Sequence, residues 1–460
     1  MQAFMAHFHC HSTTVMQHLL VLLLSQLSYQ SALLAHENNL LERRTGSIHS
    51  FNLKRGSSNA ALHIPRKASR RSPSRRSPSR RSASVLDNDQ RAKYLVPVTV
   101  EGQEFDLELD TGSADTWIIG TGFECYSTYD VDTWEFSGPL SQNECNFGAT
   151  YTPSAGFSVN ETMFDWSCYG QQEVTLRCVA GPMGYASITL DAVTIEQLIA
   201  VPDKSSFPAQ GLANQSGILG MGHIRMTNAF NTSAVLGEAP EGQIVYSPFA
   251  QTLFASNTTP PLESALFTLA ISRDASNNGS GGIFTIGGLP DNRSAVNITS
   301  DNSTTAPWEF MTSMSGVPDD EFTFYSIIVD GFDVDGQLEA VGLQIIIDSG
   351  ANTIELPADL ANSLNQQWVP SSADGNGATG LDCNAVLPWP FGIQIGGKTY
   401  YVSPEDLIGE DDQGDCYSLI ETSTAEAGFL VGDPFLKNVL AAFDWGNSQM
   451  EFWERQYYES

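Results

Sequence analysis

The sequence predicts a predominantly β protein built from two related halves. Three observations carry this. From Tyr94 onward, short runs rich in Val, Ile, Phe, Tyr and Thr alternate with Gly and Asp, as strands joined by turns do. Helical signals are few. One short triad occurs twice, each time closing a strand-like run: Asp110-Thr111-Gly112 after Phe105-Asp106-Leu107-Glu108-Leu109, and Asp348-Ser349-Gly350 after Leu343-Gln344-Ile345-Ile346-Ile347.

Taken in order, the chain begins with a leader. The run Leu19-Leu20-Val21-Leu22-Leu23-Leu24 is too short to cross a bilayer. Small residues follow, with Ala32 and Ala35 as cleavage positions, so residues 1–35 read as a secretory signal peptide. Residues 36–92 are polar, basic and poor in aromatics. They contain a five-residue repeat, Arg-Arg-Ser-Pro-Ser twice and then Arg-Arg-Ser-Ala-Ser, and cannot form a packed core. A nuclear or nucleic-acid-binding arginine–serine tract is one reading. The apolar leader argues against it and for a basic propeptide, with dibasic processing sites at Arg43-Arg44, Lys54-Arg55, Arg70-Arg71, Arg75-Arg76 and Arg80-Arg81.

In the body, runs at 96–100 and 105–109 flank Gly102 as a hairpin. Strands are also expected at 267–271, 282–286 and 325–329, and helices at 357–365 and 433–439. Residues 277–305, rich in Asn, Ser and Gly, read as surface hairpins and loops around an embedded strand.

With 460 residues, 41% of them hydrophobic, the chain is long enough for one large bilobal unit and a sizeable core. Its charge is divided unevenly. Residues 1–93 hold 14 of the 22 Lys and Arg and only four acids, Glu37, Glu42, Asp87 and Asp89. The remaining 8 basic and 49 acidic residues give the rest of the chain a net charge of −41. Such a body does not bind nucleic acid through phosphate neutralisation. It repels itself at neutral pH, and protonation in acid relieves the repulsion.

Cys10 lies in the leader, leaving Cys125, Cys145, Cys168, Cys178, Cys383 and Cys416. No C-x-x-C spacing suggests a metal, and none is expected, nor any cofactor. An even count in a secretory chain reads as disulfides. The sequence-local pairing 125–145, 168–178 and 383–416 is the expectation. Eight glycosylation sequons follow residue 94, at Asn160, Asn214, Asn231, Asn257, Asn278, Asn292, Asn297 and Asn302. They favour export, with a vacuole as the alternative. The C-terminal residues, Trp453 to Ser460, lack an apolar anchor tail.

The chemistry lies in the repeated triad. If the copies face each other, Asp110 and Asp348 approach closely and share a proton, because like charges that near do not both ionise readily. One carboxylate then serves as general base for water and the other as general acid. Gly112 and Gly350 allow the tight turns; Thr111, Ser113 and Ser349 supply hydroxyls. One such turn alone would be structural. Two, each after an apolar strand, point to peptide hydrolysis.

These residues resemble the signatures of the pepsin-like aspartic proteases, and of their secreted fungal members in particular. The first reads Leu109-Asp110-Thr111-Gly112-Ser113-Ala114-Asp115-Thr116-Trp117, the second Ile347-Asp348-Ser349-Gly350-Ala351-Asn352-Thr353. The family's apolar-apolar-Gly segments are matched by Ile218-Leu219-Gly220 and by Leu430-Val431-Gly432. The resemblance covers about residues 94–460. It implies a bilobal pepsin-like fold with an N-terminal lobe over 93–320, including interlobe sheet segments, and a C-terminal lobe over 321–460. It also implies a water held by both aspartates, a central cleft, and protein or peptide substrates. A monomer inhibited by its own propeptide completes the expectation.

The family closes its cleft with a hairpin flap carrying a Tyr. Tyr169, in Cys168-Tyr169-Gly170-Gln171-Gln172, is the candidate, its hydroxyl paired with the Trp117 indole. Two departures stand out here. Gln172 replaces a family Gly, and the alternation Phe164, Trp166 would put Cys168 where the Tyr belongs. Bridging Cys168 to Cys178 would stiffen this hairpin. A third departure is Ala351, where the family carries Thr or Ser to donate to the second aspartate. The alternatives are a catalytically silent relative, disfavoured because both triads are intact, and a glycosidase, disfavoured because aromatic platforms are not concentrated near them.

Overall fold

Strands dominate, and one hydrogen-bonded sheet runs through eighteen of them. In chain order its first members are β1 (His49–Gly56), β2 (Lys93–Val100), β3 (Gln103–Asp110), β4 (Trp117–Ile118), β5 (Glu124–Asp130), β6 (Glu135–Leu140), β7 (Ser158–Tyr169), β8 (Arg177–Leu190), β9 (Val193–Ala200), β10 (Lys204–Ser205) and β11 (Gly217–Gly220). Smaller sheets of five, four and two strands complete the C-terminal half. This computed structural model describes residues 48–56 and 93–455, apart from 131, 132, 134, 171–175, 209–213, 232–241, 257, 259, 260, 273–279, 291–295, 299–301, 315, 317, 376, 378 and 412. The leader, the arginine–serine repeat, Gln171, Gln172 and the sequons at Asn257, Asn278 and Asn292 therefore lie outside the described residues.

The runs expected at 96–100, 105–109, 267–271 and 282–286 fall inside β2, β3, Leu266–Ile271 and Ser280–Ile286. The run at 325–329 is the shorter strand Ser326–Ile328. The helix expected at 357–365 is Ala358–Asn365. The one expected at 433–439 stops at Leu436. Val439 instead opens the strand Val439–Asp444, whose six buried residues are bonded on one side by Leu266–Ile271 and on the other by Gln449–Glu454.

The duplicated triads sit in duplicated surroundings. β11 runs parallel to β3, Gly220 level with Asp110, and antiparallel to β4. In the second half Leu430–Val431 runs parallel to Gln344–Ile347 and antiparallel to Ile354–Pro357. Asp110 thus ends, and Asp348 directly follows, a strand whose neighbour is an apolar-apolar-Gly segment. Parallel strands covered on both faces favour continuous apolar runs, which is why Ile345, Ile346 and Ile347 are all buried.

The two halves meet on a platform of antiparallel strands. Leu266–Ile271 pairs with Val439–Asp444 and with Ser280–Ile286, and Phe267 stacks on Phe443 at 4.4 Å between centroids. β1 pairs with Ser280–Ile286 on one side and with β2 on the other. This corrects the expectation that nothing in 36–92 packs. Phe51 and Leu53 alternate inward and join the main core, with Leu53 only 1% exposed. Burying such side chains contributes roughly 1.5–3 kcal/mol each.

The three disulfides are those expected: Cys125–Cys145, Cys168–Cys178 and Cys383–Cys416. Cys168 and Cys178 stand directly opposite on the β7–β8 ladder, one position from Tyr169 and Arg177.

Candidate active site

Glycine brings the two turns together. A Cβ on Gly112 would lie 2.3 Å from Asp348 Oδ2, and one on Gly350 would lie 2.4 Å from Asp110 Oδ1. No side chain fits in either place, so each turn rests against the opposite carboxylate. The hydroxyls then lock the turns crosswise. Thr111 Oγ1 donates to Ile347 O at 3.0 Å and accepts from Ser349 N at 2.9 Å. Ser349 Oγ donates to Leu109 O at 2.7 Å and accepts from Thr111 N at 3.1 Å. All four bonds are buried, where an unpaired polar group would cost about 1–3 kcal/mol.

Each carboxylate accepts a backbone amide from its own turn: Gly112 N to Asp110 at 2.8 Å and Gly350 N to Asp348 at 2.7 Å. Ser113 Oγ adds a 2.5 Å bond to Asp110. Ala351 has no hydroxyl to do the same for Asp348. Burial raises the Asp110 carboxyl to about 7, the Asp348 charge adds to it, and the Ser113 and Gly112 bonds oppose it. Asp348 is also raised, chiefly by burial. Such a pair keeps one proton between two carboxylates well above the ordinary carboxylate range.

A partly buried ion pair lies beside the dyad. Asp106, Glu108 and Asp110 share one face of β3, and the alternation would leave Glu108 wet. It is 3% exposed instead. Lys93 Nζ donates to it at 2.6 Å and Gln215 Nε2 at 2.7 Å. Burial would by itself lower the Lys93 ammonium, but Glu108, with Asp110 and Asp433, more than offsets this and raises it. Burial raises Glu108, and Lys93 opposes the rise. In the sequence Glu108 sits in an alternating strand between Asp106 and Asp110, so nothing local marks it as buried.

Tyr169 ends β7, and Trp117 Nε1 donates to its hydroxyl at 2.9 Å. The alternation had pointed at Cys168 for this place. In the structure Phe164, Trp166 and Cys168 face the other way, into a cluster with Tyr129, Phe136 and Cys178. The face turned to Trp117 carries Asp165, Ser167 and Tyr169. Trp117 and Phe207 close around it, with Trp117 and Tyr169 rings 6.5 Å apart.

Two β halves, each presenting an Asp–hydroxyl–Gly turn and locked by crossed hydroxyls, define a two-aspartate site of the pepsin type. The family described as eukaryotic aspartyl protease matches residues 93–454, and the chain belongs to that family. It is 30% identical over 382 residues to a probable aspartic-type endopeptidase of Aspergillus fumigatus, covering 80% of each chain. It is 25% identical to penicillopepsin-1 of Penicillium janthinellum, over 79% of this chain and 95% of that one. Its fold is similar to the crystal structure of an aspartic proteinase from Irpex lacteus, with a TM-score of 0.58 and 16% identity over 89% of this chain and 98% of that one.

Proposed function

We propose that this chain is a secreted aspartic endopeptidase, made as a zymogen, that hydrolyses peptide bonds in acid. The observation that carries the reading is the mutual approach of Asp110 and Asp348 across Gly112 and Gly350. With one proton on the pair, the ionised carboxylate takes a proton from a water between them as it attacks the peptide carbonyl. The protonated carboxyl donates to the carbonyl oxygen. Collapse of the intermediate passes a proton to the leaving amine and returns the pair to its starting state. Tyr169, held by Trp117, is the side chain placed to cover substrate.

Zymogen status draws support from β1. It belongs to the basic segment ahead of residue 93, yet it completes the platform between the halves. Lys54 donates to Asp106 at 2.7 and 2.9 Å, so basic pro-segment and acidic body attract locally as well as globally. This pair is exposed and contributes about 1 kcal/mol or less. Acid protonates carboxylates and weakens the attraction. Three disulfides and the sequons support export, and no helix among the described residues is long and apolar enough to cross a membrane.

Acidifying the purified proform tests this. Cleavage of a denatured protein substrate should appear below neutral pH and be abolished by pepstatin. Cleavage that resists pepstatin, or none at any acidic pH, contradicts it.

A further inference from the structure

A second pair of buried carboxylates lies outside the dyad. Asp115 lies five residues after Asp110, and Asp165 lies on β7 four residues before Tyr169. Both are 0% exposed. Their donors are unequally shared. Asp115 accepts from Tyr246 Oη at 2.7 Å, from Asn228 N at 3.0 and 3.1 Å and from Asn228 Nδ2 at 3.3 Å. Asp165 has only Ser167, whose Oγ lies 2.9 Å from Oδ1, and its buried Oδ2 has no hydrogen-bond partner. Ser167 Oγ also reaches Asp115 Oδ2, at 3.4 Å.

We propose that Asp165 is a positioning residue for Tyr169, and that a single proton shared with Asp115 through Ser167 holds the inward face of β7 against the body. The donor count says where the charge rests. Asp115, with a phenol, an amide N–H and a carboxamide directed at it, is the better carboxylate. Asp165 keeps the proton, donates it to Ser167 Oγ, and frees the Ser167 hydroxyl to donate to Asp115. Asp165, Ser167 and Tyr169 share one strand face, so this chain fixes the same backbone that carries the Tyr169 hydroxyl to Trp117.

Removing the proton leaves two buried charges facing each other. The titratable groups around Asp165 are Asp115 from the turn after β3, Tyr169 on its own strand and Tyr246 before the helix Phe249–Ala255, with Asp110 beyond Tyr169. None is a cation. Its ladder neighbours are Gly181 on β8 and Ala229. Arg177, opposite Tyr169, forms no ion pair with the cluster among the described residues. Burial raises Asp115 to about 6 and raises Asp165 well above its usual range, with Asp115 adding to the latter. The β7 strand therefore loosens from the body once the shared proton is lost, and substrate affinity falls with it.

This inference rests on the peptidase reading only for its kinetic arm. Asp165→Asn keeps the shape and removes the titration. The alkaline limb of kcat/KM should move upward by about one pH unit, the change lying in KM and not in kcat. An alkaline limb that coincides with wild type overturns the proposal. Should the variant not fold, or should wild type lack peptidase activity, amide hydrogen exchange on the wild-type proform decides. Corrected for intrinsic rate, exchange in 163–169 should accelerate at least tenfold between pH 6 and pH 9, where the shared proton is lost, while the strand Phe391–Ile395 stays protected. Equal protection of 163–169 at both pH values overturns it.

Discussion

At the scale of single residues the site depends on what is missing as much as on what is present. Gly112 and Gly350 carry no side chain because each would meet the opposite carboxylate. Gly350→Ala places a methyl 2.4 Å from Asp110 Oδ1, and the halves must separate to admit it. Such overpacking costs about 1–3 kcal/mol of stability. It should lower kcat/KM by at least about a hundredfold, since the proton transfer it misaligns is worth 10²–10⁴-fold; a steady-state assay beside a thermal melt measures both. Ala351 leaves Asp348 one donor short of Asp110. Ala351→Thr supplies a hydroxyl that favours ionised Asp348, so the dyad deprotonates at lower pH. The alkaline limb of activity should then fall by about one pH unit, the equivalent of a bond of about 1.5 kcal/mol to a charged group. An unchanged or raised limb in the pH profile removes Ala351 from the explanation.

The triads themselves were legible in the sequence because the chemistry is local. Three adjacent residues and the strand before them specify the turn, and two copies specify the pair. Glu108 was not legible in the same way. Its place in an alternating strand groups it with the wetter Asp106, yet Lys93 on the neighbouring strand and the distant Gln215 cover it. Asp165 was hidden for a related reason. On β7 the apolar residues Phe164 and Trp166 drew attention to one face, while the face turned to the candidate site is the polar one. The apolar side of a strand is ordinarily the buried one, and here residues 165–167 of β7 are buried on both faces.

At the scale of elements the most informative strand is β1. Composition placed it in a segment too polar to pack, and its principal partner, Ser280–Ile286, lies more than two hundred positions away. No local pattern reports such a pairing. The cysteine bridges were legible because each partner is within 33 residues of the other. Leu53 is the deepest contact of β1 with the core. Leu53→Ala should destabilise the proform by about 2–5 kcal/mol. If β1 is part of what keeps the enzyme latent, the variant should also activate at higher pH than wild type. The pH of half-maximal activation measures this, and a value equal to that of wild type separates β1 from latency.

At the scale of the whole molecule, buried acids set the response to pH. Asp110 is raised to about 7 and Asp115 to about 6, and Glu108, Asp165, Asp348 and Asp433 are raised as well, in each case chiefly by burial. The unfolded chain titrates these groups near 4, so between about pH 4 and 7 the folded state binds more protons. Stability must then fall as pH rises through that window. The acidic surface acts in the same direction, since its self-repulsion grows as carboxylates ionise. Melting temperature should be highest in acid and should decline from about pH 4 to pH 8. A melting temperature that climbs over that range contradicts this account of the buried acids.

The central claim is that Asp110 and Asp348 act together on one water. Asp110→Asn keeps the size of the side chain and its contacts with Ser113 and Gly112 while removing the shared proton. The direct measurement is kcat/KM for a fluorogenic peptide at pH 4, with folding verified by circular dichroism. The account predicts a loss of about a hundred- to ten-thousand-fold; activity retained within tenfold of wild type contradicts it.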